Sequence, residues 1–114
     1  MEIKAENYHI TYDSIKEMIA FQGALRLSGA DEYSAIFDFL NGVLDKEPMK
    51  ISLNLRELKF LNSSGISMLS KFVINVRKKK NVQILVLGAS DNPWQSKSLK
   101  NLQRLMPSLV LEIK

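Results

Sequence analysis

Residues 60–80 read FLNSSGISMLSKFVINVRKKK and pass from the end of an apolar strand, through four small or polar residues, into an amphipathic stretch. Helical side chains turn by about 100° per residue, so apolar residues three or four positions apart share one side. This spacing predicts a helix over residues 65–79. Its buried side would carry Ile66, Leu69, Phe72, Val73 and Val76.

The junction at residues 62–65 has two interpretations. Asn and Ser are preferred at helix N-caps because their side-chain oxygens accept free backbone N–H groups, and glycine lets the backbone turn tightly. The same geometry could carry function, because Ser63 would be exposed in the first helical turn. A phosphate there would bring about −1.5 to −2 charges to the positive end of the helix dipole. The fold would tolerate it, whereas a docked partner would meet new bulk and charge.

The outer face of this helix is the surface that we expect a partner to contact. Met68 and Ile74 are apolar residues on a face that should be wet, and they lie close to Ser63. Isolated exposed apolar residues are normal on proteins, so the alternative is an ordinary solvated face. The predicted docking surface comprises Ser67, Met68, Lys71, Ile74 and Asn75.

The rest of the chain alternates strands and helices. Residues 7–12 and 51–55 alternate as strands do, residues 82–88 form an apolar run, and residues 109–113 form a last short strand. Helices are predicted over residues 31–44, with Asp31 as the cap, and over residues 94–106. The turn at residues 91–93 precedes Trp94, which we expect in the core.

Residues 13–23 remain ambiguous. Ser14 and Glu17 have the spacing of a capping box, and Ile15 begins an apolar series with helical spacing. The overlapping sequence MIAFQGALRL also fits two short strands broken by Gly23. Strands that alternate with helices imply right-handed crossovers. We therefore predict an α/β fold with a mostly parallel sheet of four to five strands and N-terminal antiparallel edge strands.

Composition bounds the possible classes of protein. The 114 residues are 46% hydrophobic and 25% charged, which predicts one folded domain over residues 1–114. The absence of cysteine excludes disulfides and thiolate metal sites and favours a reducing compartment. With no secretory leader or membrane-spanning apolar run visible, we expect a cytoplasmic protein.

The formal net charge is +4, and the one dense basic run is residues 77–80. A helix C-terminus attracts cations, which explains the run without a ligand. A nucleic-acid or anionic-lipid patch is the alternative. No aromatic or RNA-binding motif accompanies the run, so we expect neither nucleic acid nor membrane as a partner.

The segment ISLNLRELKFLNSSGISMLSKFVINVRKKKNVQILVLG, residues 51–88, resembles the STAS domain, the sulfate transporter and anti-sigma factor antagonist domain. The motif that carries this resemblance is an apolar strand, then a short LRELKF-like segment, then Ser-Ser-Gly at the start of a helix. The earlier sequence LRLSGADEY also looks like the family, and the resemblance covers about residues 24–113.

The resemblance implies a one-sided sheet with the helices packed mainly on one face, and strands rather than a helix over residues 15–22. Stand-alone members are bacterial regulators of transcription that bind an anti-sigma factor or switch kinase with a serine-kinase fold. The kinase phosphorylates the first serine of the motif, here Ser63, which releases the complex, and a serine phosphatase reverses the reaction. The partner-binding positions that follow from the motif are Asn62, Ser64 and Gly65.

The sequence departs from the family pattern at two places. Asn62 stands where the pattern has Asp, so it can cap the helix but brings no negative charge to orient the serine hydroxyl. The family's acidic residue before the first helix is matched only loosely by Asp31 or Glu32, and we include Asp31 among the partner contacts. Some STAS domains bind partners without a phosphorylation cycle, and this chain could be one of them.

An enzyme is not expected. The only histidine, His9, lies in a predicted strand, Ser63 has no evident base, and no zinc, nucleophile-elbow or phosphate-loop motif is present. We therefore expect no catalytic residue, no metal and no cofactor, and a monomer or weak dimer. The alternative to a phosphorylation-controlled regulator is a constitutive interaction scaffold, or a module for a small ligand such as a nucleotide.

Overall fold

Strands and helices alternate along most of the chain, as the apolar periodicity predicts. The computed structural model describes all residues 1–114 and contains nine elements. In chain order they are β1 (Glu2–Lys4), β2 (Tyr8–Asp13), β3 (Met18–Leu25), α1 (Gly29–Leu44), β4 (Lys50–Leu61), α2 (Ser63–Lys78), β5 (Gln83–Gly88), α3 (Gln95–Leu105) and β6 (Val110–Ile113).

The six strands form one sheet in the order β1-β2-β3-β4-β5-β6. The β1–β2 and β2–β3 pairs are antiparallel, and the other three pairs are parallel. The predicted α/β fold with antiparallel N-terminal edge strands is confirmed. The sheet has one strand more than expected, because β1 is three residues long and holds a single apolar residue, Ile3, which gives no alternation to read.

All three helices lie on one face of the sheet. Each parallel crossover moves to the next strand in the same direction, and right-handed crossovers in one direction place their helices on one side. Helix α2 accordingly packs between α1 and α3. The alternating residues Ile51, Leu53 and Leu55 of β4 are buried beneath this layer.

Residues 13–23 contain a tight turn and one strand. The Asp13 carboxylate accepts hydrogen bonds from the backbone N–H groups of Ile15 (2.9 Å) and Lys16 (3.1 Å), which fixes the turn. The predicted strand is therefore confirmed over β3, and the helical alternative is wrong. Gly23 does not divide the strand in two: at φ +95° it allows a register shift against β4 within a continuous β3.

Strand β4 continues past the point where its pairing with β5 stops. Side chains at the start of α3 bond the carbonyl groups that β5 leaves unpaired. The Gln95 amide donates to the carbonyls of Leu55 (2.6 Å) and Leu58 (3.2 Å). The Leu58 carbonyl also accepts from the Asn92 amide (2.8 Å) and the Trp94 indole N–H (3.1 Å). Trp94 packs against the core and is half-buried.

Candidate functional site

The corner between β4 and α2 is built on Asn62. Its extended backbone (φ −79°, ψ 175°) ends the strand, and its side-chain oxygen accepts the Gly65 N–H at 3.0 Å. This N-cap satisfies one of the free donors at the start of α2. The predicted strand-to-helix corner is confirmed. The helix begins at Ser63, two residues earlier than the apolar stripe indicated.

Asn62 also ties the start of α2 to the start of α1. The Tyr33 hydroxyl donates to Asn62 Oδ1 at 2.7 Å, and Asn62 Nδ2 donates to the Leu27 carbonyl at 2.7 Å. An aspartate could accept the first of these bonds, but its carboxylate could not donate the second. The departure from the family's Asp therefore has a structural reason in this chain. Asn62 mainly links the starts of α1 and α2, and we call its bonds to Tyr33, Leu27 and Gly65 the clamp.

Gly65 is needed for close packing. It is buried, and an added Cβ would lie 2.2 Å from Leu61 Cδ1 and 2.8 Å from the Tyr33 hydroxyl oxygen. Its φ is not in the left-handed region, so space and not backbone freedom demands glycine here. Gly65 faces the protein interior, and the partner contact expected of it stays a prediction.

Ser63 occupies the first helical position and is exposed. Its hydroxyl makes no hydrogen bond within the protein, because Asn62 already completes the cap. No acidic residue lies in the first turn of α2, so this turn itself does not repel an added anion. Ser64 is half-buried beside it. The hydroxyl of Ser63 is thus open to a modifying enzyme, whereas that of Ser64 is partly covered.

The outer face of α2 is only partly as predicted. Ser67 and Lys71 are exposed and continue from Ser63 at intervals of four residues, which places the three on one line along the helix. Ile74 and Asn75 are half-buried, and the Asn75 amide donates to Asn41 Oδ1 on α1 at 3.1 Å.

Met68 was predicted on the exposed face, and this is wrong. It is 5% exposed and belongs to the core cluster. The reason is that α1 packs along that side of α2 and widens its buried face beyond the apolar stripe.

A groove of about 430 Å³ lies between α1 and α2, next to this face. Met68 and Phe37 supply apolar wall, Lys71 supplies a cation, and the hydroxyls of Ser34, Ser64 and Ser67 supply polar groups. The α1 residues of the groove were missed by sequence reasoning. The usable signal was the topology, because two consecutive parallel crossovers place their helices side by side.

Asp31 is exposed in the first turn of α1, but it is not the cap. The N-cap is Ser28, whose backbone N–H donates to the Glu32 carboxylate at 3.0 Å. Helix α1 therefore begins at Gly29, and the prediction of Asp31 as its cap is wrong. Asp31 nevertheless lies at the same end of the sheet as Ser63, because both helices begin where their preceding strands end.

Two ionisable groups are perturbed. Burial raises the pKa of Tyr33, which is 1% exposed and donates to Asn62. A hydrogen bond and the charge of His9 lower the pKa of Glu2, on the neighbouring strand. His9 thus pairs with a surface carboxylate. No group of three or more His, Cys, Asp or Glu residues is placed to hold a metal ion.

Comparison with known proteins gives a likeness of structure. No protein-family model and no curated protein matches the sequence. A chain in the crystal structure of the diguanylate cyclase SiaD with its activator SiaC, from Pseudomonas aeruginosa, superimposes with a TM-score of 0.75 at 12% identity, covering 100% of this chain and 99% of that one. SiaC of Pseudomonas aeruginosa gives a TM-score of 0.71 at 13% identity, covering 100% and 96%.

The third similar structure is an anti-sigma factor antagonist from Mycobacterium paratuberculosis, with a TM-score of 0.68 at 17% identity, covering 95% of this chain and 90% of that one. No helix of this chain is long and apolar enough to cross a membrane. The sheet order, the one-sided helical layer and these superpositions agree with the resemblance seen in the sequence. The chain therefore has a STAS-like fold, the fold of an anti-sigma factor antagonist.

Proposed function

We propose that this chain is a non-enzymatic regulatory protein of the anti-sigma factor antagonist type. It binds a protein partner through the outer face of α2, and phosphorylation of Ser63 by a partner with a serine-kinase fold ends the complex. A serine phosphatase restores it. The observation that carries this proposal is the Ser63 hydroxyl, which is exposed and unbonded at the first position of a helix that another residue caps.

Phosphorylation at this place suits a switch of recognition rather than of folding. The Gly65 N–H keeps its bond to Asn62, and a phosphate on Ser63 adds its charge to the positive end of α2. The same group stands at the head of the exposed line formed with Ser67 and Lys71 and beside the α1–α2 groove. A partner that covers this line would therefore meet the phosphate directly.

The similar structures support a protein partner. SiaC is described as the activator of the diguanylate cyclase SiaD and is seen in complex with it, and the mycobacterial protein is an anti-sigma factor antagonist. Both names define the protein by its action on another protein. We extend this to the present chain as a binding role. The kinase and phosphatase are the partners that the family resemblance implies.

A constitutive scaffold is the second candidate function. The observation that favours it is Asn62, which places no carboxylate beside Ser63 and is committed to Gly65, Tyr33 and Leu27. In that case the same face of α2 binds its partner at all times.

Phosphate incorporation separates the two candidates. The purified chain is incubated with ATP and a cell extract of its source organism, and the mass of the intact protein is measured. We expect wild type and Ser64→Ala to gain one phosphate and Ser63→Ala to gain none. Labelling that persists in Ser63→Ala would refute the site, and an unmodified wild type would favour the scaffold.

Partner capture tests the surface. We expect Ser63→Asp, Lys71→Glu and Ile74→Asp each to reduce capture of the partner that wild type binds, while Lys97→Glu on α3 serves as the matched control. The thermal stability of Ser63→Asp should stay within about 0.5 kcal/mol of wild type, because an acid is tolerated at this position. Undiminished capture by both the Lys71 and Ile74 variants would remove α2 from the interface.

A further inference from the structure

One end of the sheet carries most of the protein's net charge. We call it the amino end, where β1, β3, β4 and β5 begin, and define it by residues 1–2, 13–17, 45–50, 77–81 and 104–109. These segments hold eight Lys or Arg and five Asp or Glu, whereas the rest of the chain holds eight and seven. Of the formal net charge of +4, the amino end therefore carries +3 and the remainder +1.

The amino end also carries the two most exposed large apolar side chains of the protein. Ile15 is 93% exposed and Met49 is 81% exposed. Backbone hydrogen bonds bring their segments to the start of the sheet: Ser52 N–H donates to the Glu17 carbonyl and Gln83 N–H donates to the Met49 carbonyl, both at 2.9 Å. Single exposed apolar residues are ordinary, but these two lie at the same end of the sheet among a surplus of cations.

The loops of the amino end are held in costly conformations. The Asp13 carboxylate fixes the turn that presents Ile15. Each of the three loops that lead into β3, β4 and β5 contains one residue with a left-handed backbone, a conformation that side chains other than glycine adopt at a cost. These are the only such non-glycine residues in the protein: Glu17 (φ 53°), Glu47 (φ 54°) and Lys80 (φ 46°).

We propose that the amino end docks reversibly on an anionic membrane surface. Ile15 and Met49 enter the headgroup region, and the surrounding cations contact anionic lipids. Apolar side chains flanked by Lys and Arg are the combination that peripheral proteins use at such surfaces. No helix can span the bilayer, so the association is peripheral.

The apolar tips favour lipid over nucleic acid. Nucleic-acid surfaces require cations for phosphates and flat aromatic or guanidinium groups for bases, and Ile and Met offer neither. The sequence led us to expect no membrane partner, because a helix end explained the basic run and no aromatic or RNA-binding motif accompanied it. The structure changes this by placing the basic run and the exposed Ile15 at one end of the sheet.

This inference is independent of the proposed function. Ser63 lies at the opposite end of β4, and the longest dimension of the molecule is 34 Å. A protein docked by its amino end would therefore hold Ser63 away from the membrane, free to meet a soluble partner.

Vesicle sedimentation tests the proposal. The full chain is mixed with vesicles of phosphatidylcholine containing roughly one-third phosphatidylserine, and with pure phosphatidylcholine vesicles, at low and physiological salt. We expect wild type to sediment with the anionic vesicles only, and less at higher salt. The double variant Ile15→Ser/Met49→Ser should bind at least about tenfold more weakly, because two apolar contacts are lost.

Matched variants control for charge and folding. A triple variant of the amino end, Lys16→Glu/Lys50→Glu/Lys79→Glu, should abolish binding. A control triple variant with the same net charge, Lys4→Glu/Lys97→Glu/Lys100→Glu, should bind more tightly than the first. Phe60→Ser, at the opposite end, should bind as wild type does. Thermal melting confirms that each variant is folded. The proposal fails if wild type does not sediment, if the paired variants behave alike, or if the amino end binds RNA or a second copy of the chain but not vesicles.

Discussion

Two strand-to-helix corners of the same fold have opposite characters. We call the β4–α2 corner the open corner and the β5–α3 corner the closed corner. At the β4–α2 corner the capping amide of Asn62 sits before the helix, and Ser63 beside it is exposed. At the β5–α3 corner the amide belongs to Gln95, which is 0% exposed, although Ser90 and Ser96 on either side of it are exposed. Both corners require a glycine: an added Cβ would lie 2.8 Å or less from a neighbouring atom at Gly65 and at Gly88.

The comparison shows at which corner this fold can tolerate modification of a side chain. At the β5–α3 corner the Gln95 amide bonds the carbonyls of Leu55 and Leu58 and the Ala89 N–H, the last at 2.7 Å, so loss of this amide reaches the core. At the β4–α2 corner the structural bonds are completed by Asn62, and Ser63 is left with none. Modification is tolerable only where the hydroxyl has no structural task.

The largest expected effect is at the closed corner. Gln95→Ala should lower the free energy of unfolding by about 3 kcal/mol, because it opens a cavity and leaves the Ala89 N–H and Leu55 carbonyl without partners. Urea unfolding measures the loss. Ser63→Ala is the matched change at the open corner and should stay within about 0.5 kcal/mol. Equal losses in the two variants would erase the distinction between the corners.

The clamp at the open corner should give an intermediate effect. Asn62→Ala should lower the free energy of unfolding by about 2 kcal/mol, because it removes the cap and the bonds to Tyr33 and Leu27. Asn62→Asp keeps the cap but places a carboxylate against the Leu27 carbonyl, so it should cost about 1 kcal/mol. Thermal unfolding compares the three proteins. A stabilised Asp variant would contradict the role assigned to the amide nitrogen.

A smaller effect than that of Asn62→Ala is expected at Tyr33. Tyr33→Phe removes one bond to Asn62 and should cost about 1 kcal/mol at neutral pH. Because burial raises the pKa of Tyr33, the folded state holds this proton more tightly than the unfolded state. Wild type should therefore lose stability as the pH rises above 10.0, the ordinary value, and the gap to the Phe variant should narrow. Urea unfolding at neutral and alkaline pH measures the gap, and a constant gap would contradict the prediction.

The sequence predicted the features that depend on local periodicity. The stripe of α2, the apolar run of β5 and the alternation in β4 each follow from residues within one element, and each is confirmed. The exposed hydroxyl of Ser63 was also predictable, because the first position of a helix faces outward beyond its cap.

Features that depend on contacts between elements were not predictable. Met68 is buried by α1, a helix that is remote in sequence. The amide nitrogen of Asn62 is needed because it donates to the Leu27 carbonyl, 35 residues away. Ile15 looked like part of an apolar series, but the Asp13 carboxylate holds it in a turn instead. The predicted cap of α1 was wrong for a simpler reason. Ser28 and Asp31 are both residue types that cap helices, and the path of the chain into α1 places Ser28 at the cap.

The unequal lengths of β4 and β5 bear on how the protein avoids sticking to other chains. Strand β4 has 12 residues and β5 has six, so half of β4 would offer bare carbonyl groups to any extended peptide in the cell. The side chains of Asn92, Trp94 and Gln95 bond two of these groups, the carbonyls of Leu55 and Leu58, in place of a strand. Loss of Gln95 should therefore appear as aggregation during synthesis before it appears as loss of recognition.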